Sequence, residues 1–208
     1  MFNRKCKITF ISHGATVYSE ENRISDSNNE KYPPLNEAGQ EEIEKICDWL
    51  KKKGIKNDKI YASPALRTIQ TAQMISKVYK TEFDIVDELS TRKMGVWSGL
   101  TYNTIEKKYP QLLEQLHANP CSFCPDNGET VLDFDKRVYK VIEKIVKENI
   151  GNRVIVVTHP NIIQATISQA LHLPPQHQAK VYIKTGSATQ ISFFEGWASL
   201  VYSGYIPL

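Results

Sequence analysis

What this sequence lacks narrows it first. No stretch of its 208 residues approaches the roughly 20 consecutive apolar residues that a bilayer span needs. The apolar run near the N-terminus lasts only a few residues before His13, too short for the core of a signal peptide. An excess of charge is also missing. Twenty-six basic against 23 acidic residues leave a formal +3, too little to suggest nucleic acid or a membrane surface as partner. Lys51-Lys52-Lys53 is basic, but it stands at the expected end of a helix, where cations complement the dipole. Cysteine is scarce. Of the four, Cys6 and Cys47 are isolated, and Cys121 and Cys124 have the spacing of half a zinc site or a redox pair with no second pair following. Reduced thiols, no metal, no cofactor and a cytoplasmic location are the expectations.

What is present is globular. With 41% hydrophobic and 24% charged residues, the chain is long enough to bury a full core, and a single domain over residues 1–208 is expected. Lys7 to Ile11 reads as a strand ending at a loop that carries His13. Ser19 to Pro34 is polar and turn-rich and reads as a surface loop. Asn36 is an acceptable N-cap for a helix whose apolar positions are Ile43, Ile46, Cys47 and Leu50. Lys59 to Ala62 is a short strand, followed by a helix from Ser63-Pro64 that would turn Leu66, Ile69, Ile75 and Val78 to the core. Phe83 to Val86 is another strand. Tyr102 to about His117 is helical by period, with Pro110 kinking or dividing it.

The strongest helical stripe is Val131, Phe134, Val138, Val141, Ile142, Ile145 and Val146. Arg153 to Thr158 follows as a continuous apolar run, the pattern of a strand buried on both faces, and it ends at His159. Asn161 to Leu171 reads as helix, and Lys180 to Tyr205 as two or three strands. Strands alternating with helices predict an α/β fold, a three-layer α/β/α sandwich on a mostly parallel central sheet. Ligands in such sheets bind beyond the carboxyl ends of the strands. His13, the Ser63 to Arg67 segment and His159 all follow strands, so the topology alone predicts a pocket holding two histidines and an arginine.

Five ordered segments resemble the histidine phosphatase superfamily, the phosphoglycerate mutase-like proteins. Ser12-His13-Gly14-Ala15-Thr16 is similar to the signature Arg-His-Gly-x-Thr, and Pro34-Leu35-Asn36-Glu37-Ala38-Gly39 to Pro-Leu-Thr-x-x-Gly. Ala62-Ser63-Pro64-Ala65-Leu66-Arg67-Thr68-Ile69-Gln70-Thr71-Ala72 is the most specific match, to Ser-Pro-x-x-Arg-x-x-Gln-Thr-Ala. Gly128-Glu129-Thr130 with Arg137-Val138, and Val156-Val157-Thr158-His159, complete the series. The resemblance implies a phosphoglycerate mutase-like fold and a nucleophilic His13 that forms a phosphohistidine. Arg67 and His159 would bind phosphoryl oxygens, and a carboxylate would protonate the leaving oxygen.

Several positions depart from the pattern. Ser12 stands where the family has Arg, exchanging a charged fork for one neutral hydroxyl; losing such a donor costs on the order of 3 kcal/mol of transition-state stabilisation. Ser19 stands where the family often has Asn beyond Thr16. Counting back from Gly95 puts Thr91 at the position of the family acid, and Ser98 replaces a second glutamate; Glu88 is the nearest carboxylate and a candidate displaced acid. Pro160 replaces the usual Gly after the second histidine. Loss of one Arg and one Glu together leaves the formal pocket charge unchanged.

The residues therefore leave three readings open. The first is an altered phosphomonoesterase with His13, His159 and Glu88 as catalytic groups and Ser12, Thr16, Ser19, Arg67 and Thr91 around the substrate. The second is a non-catalytic protein that binds an anion or a partner through the same pocket. The third is an acid–base enzyme using the histidine pair on a non-phosphate substrate. A small anionic molecule is the expected ligand, and the oligomeric state stays open. The loop from Ala118 to Asn127, with its prolines and Phe123, is expected to form an apolar lid.

Overall fold

Six strands form one sheet in the computed structural model, which describes residues 4–26 and 33–208. They are β1 (Arg4–Ser12), β2 (Lys59–Ala62), β3 (Asp84–Ile85), β4 (Arg153–Thr158), β5 (Ala188–Phe194) and β6 (Ala198–Tyr205), in the order β3-β2-β4-β1-β5-β6. The pairs β1–β4, β2–β4 and β2–β3 are parallel, whereas β5 and β6 continue the sheet antiparallel. The tail thus supplies two strands. Seven α-helices accompany the sheet among the described residues: α1 (Val17–Glu20), α2 (Glu37–Lys52), α3 (Leu66–Tyr79), α4 (Tyr102–Lys108), α5 (Pro110–Ala118), α6 (Val131–Glu148) and α7 (Pro160–Ala170).

The two central strands explain the layering. In β4, Val154 and Val156 point to one core and Ile155 and Val157 to the other, which is why its sequence reads as an unbroken apolar run. Cys6, Ile8 and Phe10 of β1 meet Phe134, Val138, Val141 and Ile142 of α6 and Ile162 and Ile163 of α7. On the opposite face Ile11 joins Ile43, Ile46 and Leu50 of α2 and Ala72 and Ile75 of α3. Each of these large side chains is worth about 1.5–3 kcal/mol of burial, so the sandwich is held from both faces.

Local signals place the helix boundaries. Asn36 Oδ1 accepts from the Gly39 N–H at 2.8 Å, capping α2, and Thr130 Oγ1 accepts from the Asp133 N–H at 2.9 Å, capping α6. Pro110 divides the expected helix into α4 and α5 and occupies the first turn of the second, where its missing N–H costs nothing.

Three expectations need correction. Ser19 and Glu20 belong to the short helix α1 rather than to a loop, while residues 27–32 of the Ser19 to Pro34 segment lie outside the described residues. Helix α3 buries Arg67, Thr68, Thr71, Ala72 and Ile75, and Leu66 is exposed. Ile75 and Val78 reach the core as the periodicity predicts, but Leu66 faces solvent because the first turns of the helix bring Arg67, Thr68 and Thr71 inward, where they bond near the strand-end loops. Finally, Phe123 packs against Trp97 with ring centroids 5.1 Å apart, in a small third core with Ile105. Its apolar bulk is used in that internal packing and does not form the expected lid wall.

Candidate active site

His13 sits at the carboxyl end of β1, where the chain leaves the sheet. Its N–H donates to the carbonyl of Thr158 at 3.0 Å, and its carbonyl accepts from the Gly186 N–H at 2.9 Å, so the end of β4 and the turn before β5 hold its backbone. The loop after it lies against the start of α2. A Cβ on Gly14 would stand 2.3 Å from the Gly39 carbonyl oxygen, and one on Gly39 would stand 2.1 Å from that of Ala15. Only glycine allows this approach. The Asn36 N–H donates to the Ala15 carbonyl at 3.1 Å, and the Ala15 N–H to Glu42 Oε2 at 2.9 Å. Thr71 Oγ1 accepts from the Gly14 N–H at 3.4 Å.

Arg67 stands between two histidine rings. Its Nε donates to His13 Nε2 at 3.3 Å and its Nη2 to His159 Nδ1 at 3.2 Å. Its Nη2 also donates to the Asp26 carbonyl at 3.2 Å. A guanidinium cannot accept, so these contacts fix the tautomers. His13 carries its proton on Nδ1, donated to the Gly14 carbonyl at 2.8 Å, and keeps a lone pair on Nε2. His159 carries its proton on Nε2, donated to Ser63 Oγ at 2.8 Å. The rings meet edge to face at a centroid distance of 5.3 Å.

All three side chains are nearly out of solvent: His13 is 6% exposed, Arg67 2% and His159 1%. Burial, reinforced by the Arg67 charge, lowers His13 to about 3. His159 is pushed well below its ordinary value by burial, then by Arg67, His13 and Arg137. Both rings are therefore neutral near pH 7.

The other expected site residues fall in four places. Ser12 is fully buried in register with Thr158, and its Oγ has no hydrogen-bond partner among the described residues. By strand alternation after Ile8 and Phe10 it faces the α6 and α7 side. Thr16 and Ser19 bond each other in the capping box of α1: Ser19 N–H donates to Thr16 Oγ1 at 3.2 Å, and Thr16 N–H to Ser19 Oγ at 2.8 Å. Thr91 is buried, and its Oγ1 accepts from Asn161 Nδ2 at 2.8 Å. Glu88 is exposed in a helical turn, Asp87–Leu89, and its carbonyl accepts from Arg137 Nη1 at 2.7 Å.

Arg137 does more than mark a motif. It holds both carboxylate oxygens of Glu129, at 2.9 and 2.7 Å, and donates to the carbonyls of Glu88, Ser90 and Thr91. A planar fork suits this double task. The pair fixes the backbone that presents Thr91.

Sequence reasoning missed Asp26, Asn161 and the specific role of Ser63. Asp26 lends its carbonyl to Arg67 while its carboxylate accepts from Ser98 Oγ at 2.8 Å and the Met94 N–H at 3.3 Å. Asn161 follows His159 by two residues in the first turn of α7, and its Oδ1 is buried without a partner among the described residues. Position beside the second histidine was the available signal for Asn161. Asp26 offered none. Among the described residues no group of three or more histidine, cysteine or carboxylate side chains could hold a metal, and Cys121 and Cys124 are free thiols. Among the described residues no helix is long and apolar enough to cross a membrane.

A family model described as the histidine phosphatase superfamily (branch 1) matches residues 8–204. The chain belongs to this superfamily. It is 26% identical over 195 residues to a bifunctional protein of Mycobacterium tuberculosis, covering 94% of this chain and 52% of that protein. The chain thus spans about half the length of that relative. It is 29% identical to a metal-independent phosphoserine phosphatase of Arabidopsis thaliana, over 76% of this chain and 66% of the relative. Among solved structures, YhfR of Bacillus stearothermophilus superposes with a TM-score of 0.87 over 97% of this chain and 98% of that one at 22% identity. An α-ribazole phosphatase of Shigella flexneri gives 0.85 at 18% identity, covering 96% of both chains. At these identities the structural likenesses establish the phosphoglycerate mutase-like fold alone.

Proposed function

We propose that this superfamily member is a phosphomonoesterase that acts through a phosphohistidine on His13. The observation that carries the reading is the tautomer of His13. The ring is neutral, its Nδ1 proton is held by the Gly14 carbonyl, and its Nε2 lone pair faces the one guanidinium that also holds His159. A nucleophile for phosphorus needs that lone pair, and the developing charge on the phosphoryl oxygens needs that guanidinium. Water would then cleave the phosphohistidine. Relatives named as phosphoserine phosphatase and fructose-2,6-bisphosphatase support a small phosphorylated substrate.

Ser12 and Thr91 make this an altered member, in which Arg67 and His159 carry the phosphoryl contacts and Glu88 lies in solvent. That placement of Glu88 favours one competing reading, an anion-binding protein without turnover. Hydrolysis of an aryl phosphate by wild type and His13→Ala separates them. Turnover that disappears in His13→Ala, with an acid-labile phosphoryl group trapped on the wild type, supports the enzyme. Phosphate binding with no turnover in either protein supports the binder.

A further inference from the structure

The half of the site opposite Arg67 is neutral where a phosphatase needs both charge and a proton source. Among the described residues Ser12 Oγ is buried with no partner, Thr91 Oγ1 is engaged by Asn161, and the Asn161 Oδ1 is a buried acceptor with nothing to accept. Neither histidine has a carboxylate partner among the described residues: His13 bonds Gly14 and Arg67, and His159 bonds Ser63 and Arg67. The Glu88 side chain is exposed, and the Asp26 carboxylate accepts from the Met94–Ser98 loop. The other cations nearby are engaged away from the histidines or stand in solvent: Arg137 pairs with Glu129, Lys184 with Glu42, Arg92 donates to the Glu129 and Phe123 carbonyls, and Lys93 is exposed. One guanidinium thus faces the reacting group, and one unit of negative charge is what it balances. A dianion would bring a second unit into a buried site with nothing to meet it.

We propose that the site takes the singly protonated form of a phosphomonoester, and that the phosphoryl O–H of the substrate supplies the proton that the leaving oxygen requires. This rests on the phosphatase reading above and names its substrate form.

The step balances without a protein acid. The Nε2 lone pair of His13 forms a bond to phosphorus while the bond from phosphorus to the ester oxygen breaks. The proton on the phosphoryl oxygen moves to that ester oxygen, which departs as a neutral alcohol. The phosphoryl group stays on His13 Nε2, while Nδ1 keeps its proton and still donates it to the Gly14 carbonyl. The oxygen of a water then bonds to phosphorus as the P–N bond breaks and its electron pair returns to Nε2; one water proton stays on the added oxygen, the other passes to a phosphoryl oxygen, and dihydrogen phosphate leaves. The Asn161 Oδ1 suits the same substrate form, since an acceptor pairs with a ligand that carries a proton and repels a bare phosphoryl oxygen. Ser12 Oγ can donate to one of the unprotonated oxygens.

The consequence is a pH profile set on one side by the ligand. The groups facing His13 are Arg67 from α3, His159 at the end of β4 and the Gly14 carbonyl. Beyond them stand Arg137 with Glu129, Asp26 behind Arg67, and Glu42 with Lys184 behind the Ala15 amide. With His13 held at about 3, its lone pair is available from acid pH upward. Activity then falls as the substrate loses its last phosphoryl proton, around pH 6 for a phosphomonoester such as phosphoserine.

The experiment is kcat/KM against pH for wild type, using phenyl phosphate and ring-fluorinated phenyl phosphates whose second pKa values differ. The expected result is a loss of about tenfold per pH unit above the second pKa of each compound, with the falling limb moving from compound to compound. Thr91→Glu is expected to hold activity above that point by supplying a protein acid. A falling limb that stays at one pH for every compound, or that moves in Glu88→Gln or Asp26→Asn, overturns the proposal while leaving His13-dependent turnover intact. No turnover of any compound at any pH rejects the phosphatase reading itself, and the proposal with it.

Discussion

The two halves of the candidate site are built differently. On the α2 and α3 side every polar group is bonded at least once: Arg67 to two rings and a carbonyl, Gly14 to Thr71, Ala15 to Glu42. On the α7 side the cast is neutral, and two buried atoms, Ser12 Oγ and Asn161 Oδ1, have no partner. A fully bonded arrangement resists change because each removal strands another buried group. One with unpaired atoms is held by the fold around it, and its residues can be altered at little cost. Ser12 and Thr91, the two positions at which the motif resemblance implies a departure, fall in the second half.

The largest effect that sharpens this contrast is expected from Arg67→Met. It keeps the bulk and removes the charge, and should lower kcat/KM for an aryl phosphate by about 10²–10³-fold. It should also raise the His13 pKa toward its ordinary value, which an NMR titration of the ring would read.

Acid comes next. Below the ordinary histidine pKa of about 6.5 the unfolded chain binds protons that the buried neutral rings refuse, so stability falls as pH falls. For His13 the window runs from about 6.5 down to about 3. The slope is about 1.4 kcal/mol per pH unit for each histidine, so denaturant unfolding at pH 7 and pH 5 should differ by about 2 kcal/mol through His13 alone. His13→Gln should remove that share. An unchanged difference would mean that His13 ionises as freely in the folded protein as outside it.

Gly14→Ala should cost about 1–3 kcal/mol, read as a lower thermal midpoint, because its Cβ would overlap the Gly39 carbonyl. Ser12→Ala should go the other way. Deleting a buried hydroxyl that bonds nothing should leave stability unchanged or raise it by about 1 kcal/mol. Destabilisation by Ser12→Ala would break the contrast between the halves.

The parts of this design that could be read in advance share a cause. His13, Arg67 and His159 each follow a strand of an alternating α/β pattern, and the fold brings such positions to one edge of the sheet. Asn36 and Pro110 act within a turn of themselves, so their effects were legible too. What stayed hidden depends on distance along the chain. Asp26 bonds residues 41 and 72 positions away, and Asn161 reaches Thr91 across 70. No local pattern encodes those encounters. Leu66 misled for a related reason: apolar spacing locates the buried face of a helix only when that face is apolar, and α3 buries an arginine and two threonines.

The bonds from Arg67 to both histidines have a consequence for ligand recognition. An incoming anion displaces existing bonds, because the guanidinium must let go of two rings before it can hold an oxygen. Filling the site is an exchange reaction, and its measured affinity is a difference between two sets of contacts. A ligand offering a single oxygen replaces part of what it disrupts; one offering two oxygens in the plane of the guanidinium replaces it in full. The same exchange perturbs both imidazoles at once, so paired shifts of their ring resonances would report occupancy directly.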